Sequence, residues 1–190
     1  TSGLFMARIY KYLLSSPLCL KRFLQKGVIR NSQKMNTLQA GDLAPQFTLL
    51  NQNEQSISLA QFEGKKVLVY FYPKALTPGC TTQACGLRDS RTELSELNVE
   101  VLGISPDLPK KLAQFIEKKE LNFTLLSDPD HQVAEAFGVW GEKKFMGKIY
   151  DGIHRISFLV NEQGVIEKVF DKFKTSEHHQ MVVDYLKGAE

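Results

Sequence analysis

Residues 67–72 read Val-Leu-Val-Tyr-Phe-Tyr, an unbroken apolar run of β-branched, aromatic and Leu side chains. That is the pattern of a central strand buried on both faces. The run stops at Pro73, and residues 73–79, Pro-Lys-Ala-Leu-Thr-Pro-Gly, form a loop. Over 81–97 the spacing turns helical, with Cys85, Leu87, Leu94 and Leu97 among charged positions. Residues 99–105 make a second buried strand. A helix follows over 108–120, with Asp107 as its N-cap, Pro109 in the first turn and Leu112, Phe115 and Ile116 inward.

Upstream, 35–44 is a polar entry segment. Phe47-Thr-Leu-Leu and Ile57-Ser-Leu flank Asn51-Gln-Asn-Glu, which predicts an early strand hairpin. Downstream, 122–127 predicts a short strand and 132–137 a short helix. Residues 156–160 and 165–170 predict a second hairpin through Asn161-Glu-Gln-Gly. Residues 176–187 close the chain as a helix, with Val182, Val183 and Leu186 on one side. Gly138 and Gly147 bound a loop whose Trp140, Phe145 and Met146 either rim a site or cover the sheet edge. Alternating strands and helices, then a hairpin and a helix, predict an α/β domain: a central mixed β-sheet flanked by helices, with an N-terminal β-hairpin. No repeat, low-complexity tract or second domain is visible.

Charge changes the picture at one end. Of the 24 basic residues, Arg8, Lys11, Lys21, Arg22, Lys26, Arg30 and Lys34 fall in 1–34, which holds no Asp or Glu. The remaining 17 face all 21 acidic residues, so 35–190 carries −4 although the whole chain is +3. An acidic body without a basic stripe argues against nucleic acid as a partner. No apolar stretch approaches the roughly 18 residues of a membrane span. The leader, 1–34, fits an organellar transit peptide, or translated upstream sequence with the start at Met35. Either way it is expected to be disordered and separate from the domain at 35–190. The expected location is cytoplasmic, or organellar if the leader is a genuine transit peptide.

Three cysteines are present, Cys19 in the leader and Cys80 and Cys85 in the body. Two close cysteines in a domain of this size point to redox chemistry or metal binding in a reducing compartment. Cys80 stands where the Pro/Gly loop meets the next helix. The helix dipole and unpaired backbone N–H groups there favour an anion, hence a reactive thiolate. The loop also leaves the C-terminal end of a buried strand, where open α/β sheets place their crevices. Pro73, Thr77 and Cys80 spell Pro-x-x-x-Thr-x-x-Cys. A threonine hydroxyl both donates and accepts, and so suits one oxygen of a hydroperoxide beside the sulfur. Proline offers no N–H and walls off water. An arginine that stays protonated would meet charge on the leaving oxygen.

The segment Pro73-Lys-Ala-Leu-Thr-Pro-Gly-Cys80-Thr-Thr-Gln-Ala-Cys85-Gly-Leu-Arg-Asp89 resembles the active-site segment of the peroxiredoxins. Within them it is similar to the peroxiredoxin Q / bacterioferritin comigratory protein subfamily. The resemblance continues through Val101-Leu-Gly-Ile-Ser105, Phe137-Gly-Val-Trp140 and Gly152-Ile-His-Arg-Ile-Ser-Phe-Leu159, and does not extend to the leader. It implies a thioredoxin-like fold and a thiol peroxidase acting on hydrogen peroxide and organic hydroperoxides. By that resemblance Cys80 is the peroxidatic cysteine, Pro73, Thr77 and Arg155 complete the pocket, and Cys85 is the resolving cysteine. It further implies thioredoxin as reductant, with another dithiol or glutathione as alternatives, a monomer or weak dimer, and no cofactor.

Five residues in an intact helix span about 500° and roughly 7.5 Å of axis, beyond the roughly 7 Å Cα limit of a disulfide. A Cys80–Cys85 bond therefore requires the helix to unwind locally. Other readings remain: Cys85 as a small buried hydrophobe, or the chain as a peroxide-oxidised sensor or holdase without turnover. A thioredoxin-like reductase needs Cys-x-x-Cys and is excluded by the spacing. His131, His154, His178 and His179 lie far from the cysteines in sequence, so a metal site is not expected. His131 is placed at a helix start, His178 and His179 on a solvated helix face, and Lys118 and Lys119 as a surface pair.

Overall fold

The computed structural model describes residues 35–188, so the readings made for the leader lie outside the described residues. The chain enters through β1 (Thr48–Asn51) and β2 (Ser56–Ser58), an antiparallel hairpin. A 3-10 turn, Leu59–Phe62, leads to β3 (Lys66–Phe71), α1 (Pro78–Asp89), α2 (Arg91–Glu96) and β4 (Val99–Ser105). Next come α3 (Pro109–Lys119), β5 (Thr124–Ser127) and α4 (Gln132–Ala136). The ribbon β6 (Trp140–Phe145) and β7 (Lys148–Ile153) precedes β8 (Ser157–Val160), β9 (Ile166–Phe170) and α5 (His178–Leu186).

Seven strands form one sheet in the order β2-β1-β5-β4-β3-β8-β9. The middle strands β3, β4 and β5 are parallel, while β1, β8 and β9 join antiparallel. This is the thioredoxin-like mixed sheet, and β3 lies inside it. Strand periodicity sends Leu68, Tyr70 and Tyr72 to one face and Val67, Val69 and Phe71 to the other. The two faces bury separate clusters. On the first, Ala84 and Leu87 of α1, Leu112 and Phe115 of α3, and Val182 and Val183 of α5 pack over the sheet. On the second, Val133 and Ala134 of α4 pack with Ala44, Phe47 and Phe137. Each fully buried Leu or Phe contributes about 1.5–3 kcal/mol.

Three expectations are corrected. The helix read over 81–97 starts earlier, at Pro78, and is two helices, parted at Ser90 (φ −91°, ψ 4°). Asp and Ser at 89 and 90 compete with helical hydrogen bonding through their short polar side chains. The loop read over 138–147 is instead β6 and the turn to β7, whose strands pair from Trp140 opposite Ile153 to Phe145 opposite Lys148. Met146 and Gly147 both have positive φ, 48° and 78°, the turn that matches strand twist. The N-cap of α3 is Leu108 rather than Asp107, because the Asp107 carboxylate is engaged elsewhere.

Candidate active site

The site grows out of the end of β3. The Tyr72 N–H still bonds the Ile104 carbonyl (3.1 Å), and the next residue, Pro73, has no N–H with which to continue. The loop then turns through Leu76, whose φ of 66° is left-handed. A non-glycine residue there costs about 1–2 kcal/mol. Leu76 offsets this by packing its side chain against the first core cluster. Asp107, at the end of β4, fastens the same loop by accepting the Ala75 N–H at 2.6 Å; Lys111 donates to its other oxygen at 2.6 Å.

Thr77 is extended (φ −83°, ψ 154°) and serves as N-cap, and Pro78 is the first helical residue, where a missing N–H costs nothing. Cys80 is thereby set in the first turn of α1, at the positive end of the helix. Its sulfur is not on the surface: Cys80 is 1 % exposed and belongs to the first core cluster. Cys80, Gln83, Ala84 and Leu87 are buried on one face of α1, and Cys85, partly exposed, lies off that face. Both thiols are free.

Arg155 comes from the short link between β7 and β8. That link is held to β3 by the Phe71 N–H, which donates to the Ile156 carbonyl at 3.0 Å. Its guanidinium forks: Nη2 lies 3.2 Å from Cys80 Sγ, and Nη1 donates to Gln83 Oε1 at 2.6 Å. A permanently charged donor thus stands within hydrogen-bond reach of a buried sulfur. Gln83 Nε2 in turn lies 3.2 Å from His178 Nδ1 on α5.

The surrounding titratable groups stay in defined states. Burial, then His179 and Arg155, push the His178 pKa down to about 3, so the ring is neutral. Burial raises the Tyr70 and Tyr72 pKa values, and their rings stack at 5.4 Å beneath the site as neutral phenols. Lys143 reaches across from β6 to donate to the Ile153 carbonyl at 2.9 Å. Its pKa is lowered, first by burial and then by Arg155.

A buried sulfur at a helix N-terminus, with a guanidinium fixed against it, is equipped to attack an electrophile that leaves as an anion. The AhpC/TSA family matches residues 40–169. The chain belongs to the peroxiredoxins. It is 76 % identical over 154 residues to the putative peroxiredoxin bcp of Haemophilus influenzae, covering 81 % of this chain and 99 % of that one. It is 65 % identical over 153 residues to peroxiredoxin Bcp of Escherichia coli K12, covering 80 % and 98 %. Among solved structures, the bacterioferritin comigratory protein of Xanthomonas campestris superposes with a TM-score of 0.72 at 29 % identity. That comparison covers 83 % of this chain and all of the other, a protein described by its alkyl peroxide reduction activity. The protein is thus a Bcp/peroxiredoxin Q-type thiol peroxidase, an oxidoreductase.

In this peroxiredoxin the structure brings Cys80 and Arg155 into direct contact. Pro73 and Thr77 sit on the same loop, and the Thr77 hydroxyl donates to the Lys74 carbonyl at 2.9 Å. Cys85 shares α1 with Cys80, separated from it by more than a helical turn. Gln83 escaped the sequence reading. The available signal was its i, i+3 spacing from Cys80, which puts both on one helix face.

His178 corrects its expectation outright. It is fully buried, 4.3 Å from the Phe173 ring centroid, rather than on a solvated face. The spacing of His178 to Val182 carried that information, because i and i+4 share a face. His131 does stand at a helix start, in left-handed conformation before α4, and stacks on Trp140 at 3.6 Å. Trp140 packs against the second core cluster, whereas Phe145 and Met146 are exposed at the ribbon tip.

Proposed function

We propose that the protein reduces hydrogen peroxide and organic hydroperoxides through Cys80, with Cys85 as resolving thiol and thioredoxin as reductant. The Cys80 thiolate attacks one peroxide oxygen; an S–O bond forms and the O–O bond breaks. The sulfur becomes a sulfenic acid, and the leaving oxygen takes a proton to depart as water or an alcohol. The Cys85 thiol then displaces hydroxide from the Cys80 sulfur, giving a disulfide and water. A dithiol returns both cysteines to thiols by exchange, carrying away the oxidation as its own disulfide. Thr77 and Pro73 line the peroxide's approach in this reading, and Arg155 meets the charge on the leaving oxygen.

The observation that carries it is the 3.2 Å approach of Arg155 Nη2 to a buried Cys80 sulfur in the first turn of α1. The disulfide step requires α1 to open between residues 80 and 85, since an intact helix holds the pair too far apart.

Peroxide consumption coupled to thioredoxin, thioredoxin reductase and NADPH tests it on wild type, Cys80→Ser and Cys85→Ser. Wild type turns over, Cys80→Ser is inactive, and Cys85→Ser reacts once and then depends on added thiol. Normal turnover by Cys80→Ser ends the reading. Stoichiometric oxidation of wild type without turnover favours a redox sensor or holdase instead.

A further inference from the structure

We infer that His178 is a positioning residue of the peroxidase site: its Nδ1 helps fix the orientation of the Gln83 amide, which in turn keeps the Arg155 guanidinium on the Cys80 sulfur. This rests on the reading of Cys80 as the peroxide-reactive thiolate.

The argument is one of donors and acceptors. Arginine has only N–H donors. Every partner of Arg155 must therefore accept, and Cys80 Sγ at 3.2 Å and Gln83 Oε1 at 2.6 Å do so. With Oε1 facing the guanidinium, the Gln83 NH2 faces His178 Nδ1, 3.2 Å away. An amide NH2 only donates, so Nδ1 must carry the lone pair and Nε2 the proton. Four side chains thus form one directed chain, from His178 through Gln83 and Arg155 to the sulfur.

Nothing in the shape of the Gln83 amide selects this orientation, because its two ends are nearly the same size. A flipped amide would set NH2 against guanidinium, donor against donor, and push Arg155 away from Cys80. Arg155, which only donates, selects Oε1 from one side, and His178 accepting at Nδ1 holds the NH2 from the other, so the two partners fix the amide together. The ring is buried among Tyr70, Phe170 and Phe173. Burial first, and then the nearby His179 ring and the Arg155 charge, oppose its protonation. A protonated ring would present N–H to NH2 and favour the flip.

Packing alone would also account for a buried ring, so the variants are chosen to separate the roles. His178→Leu keeps apolar bulk and removes the acceptor. His178→Asn leaves a poorer core but places an amide oxygen near the position of Nδ1. Each is made in Cys85→Ser protein, together with Arg155→Gln as control, and Cys80 oxidation by hydrogen peroxide is followed by quenching and mass spectrometry.

The expected result is a fall of at least about tenfold in the rate constant for His178→Leu, with His178→Asn within about threefold of its parent. Ring-nitrogen NMR of the wild-type protein should show Nδ1 unprotonated and Nε2 protonated. The inference is overturned if His178→Leu reacts at the parental rate while Arg155→Gln is slow, or if Nδ1 carries the proton. If Arg155→Gln also reacts at the parental rate, the site reading itself falls, and this inference with it.

Discussion

Gly86 of α1 and His179 of α5 meet so closely that a Cβ on Gly86 would lie 2.4 Å from His179 Nδ1 and 3.0 Å from its Cγ. The glycine lets the C-terminal helix lie down on the helix that carries both body cysteines. Gly86→Ala gains helix propensity of up to about 1 kcal/mol, but the overlap with an imidazole ring outweighs it. We expect a net loss of about 1–2 kcal/mol, read as a lower Tm. His179→Ala in the same chain should restore stability, and a double-mutant cycle measures that coupling.

Arg155→Lys keeps the charge and loses the fork. One ammonium on a flexible stem cannot hold Gln83 Oε1 and Cys80 Sγ in the present geometry. Sulfenic acid formation at Cys80 should slow by about 10²-fold or more, the scale of losing an aligned donor to a developing oxyanion. Stopped-flow or quenched oxidation measurements would show it, with the fold unchanged by circular dichroism. A rate equal to wild type would remove Arg155 from the chemistry.

His178 gives stability a pH dependence with a definite sign. Its folded-state pKa is lowered to about 3 from an ordinary value of 6.5, so the unfolded chain takes up the proton first as pH falls. Its contribution is complete above pH 6.5 and is lost between about pH 6.5 and 3, with a slope approaching about 1.4 kcal/mol per pH unit. Denaturant unfolding of wild type and His178→Leu across pH 4 to 7.5 tests this. The leucine variant should show the shallower dependence.

Asp107 ties the active-site loop to the sheet through the Ala75 N–H, while Ser105 Oγ stands 3.2 Å from the same carboxylate oxygen. Ala75 is buried, so Asp107→Ala leaves a backbone donor without its acceptor, at a cost of about 1–3 kcal/mol. The Ala75 amide should then exchange with deuterium faster, and the peroxide step should slow because the loop bears Thr77. Asp107→Asn retains an acceptor and should keep most of both.

Much of this was legible in the residues alone. The apolar run at 67–72 and Pro73 after it specified strand and loop, because each rests on local sterics and on burial of one contiguous segment, whereas the helix read from 81 begins at Pro78. The cysteine spacing likewise sets the geometric demand on α1 by itself. The ribbon of β6 and β7 was hidden. Its strands expose Phe145, Ile149 and Tyr150 among charged residues and so show no apolar-in, polar-out alternation, and Met146 stands where a hairpin turn usually shows Asn or Gly.

The chain by itself singled out Cys80, the loop that presents it and, through the family resemblance, the arginine beside it. Only the tertiary structure decided what holds that arginine. Gln83 lies 72 residues from Arg155, and His178 lies 95 from Gln83. A hydrogen-bond chain across such separations leaves no periodicity in the sequence, since it exists only where α1, α5 and the β7–β8 link converge on one face of the sheet. The histidine that looked like a surface residue shares the buried face of α5 with Val182, and the Tyr70, Phe170 and Phe173 rings close over it there.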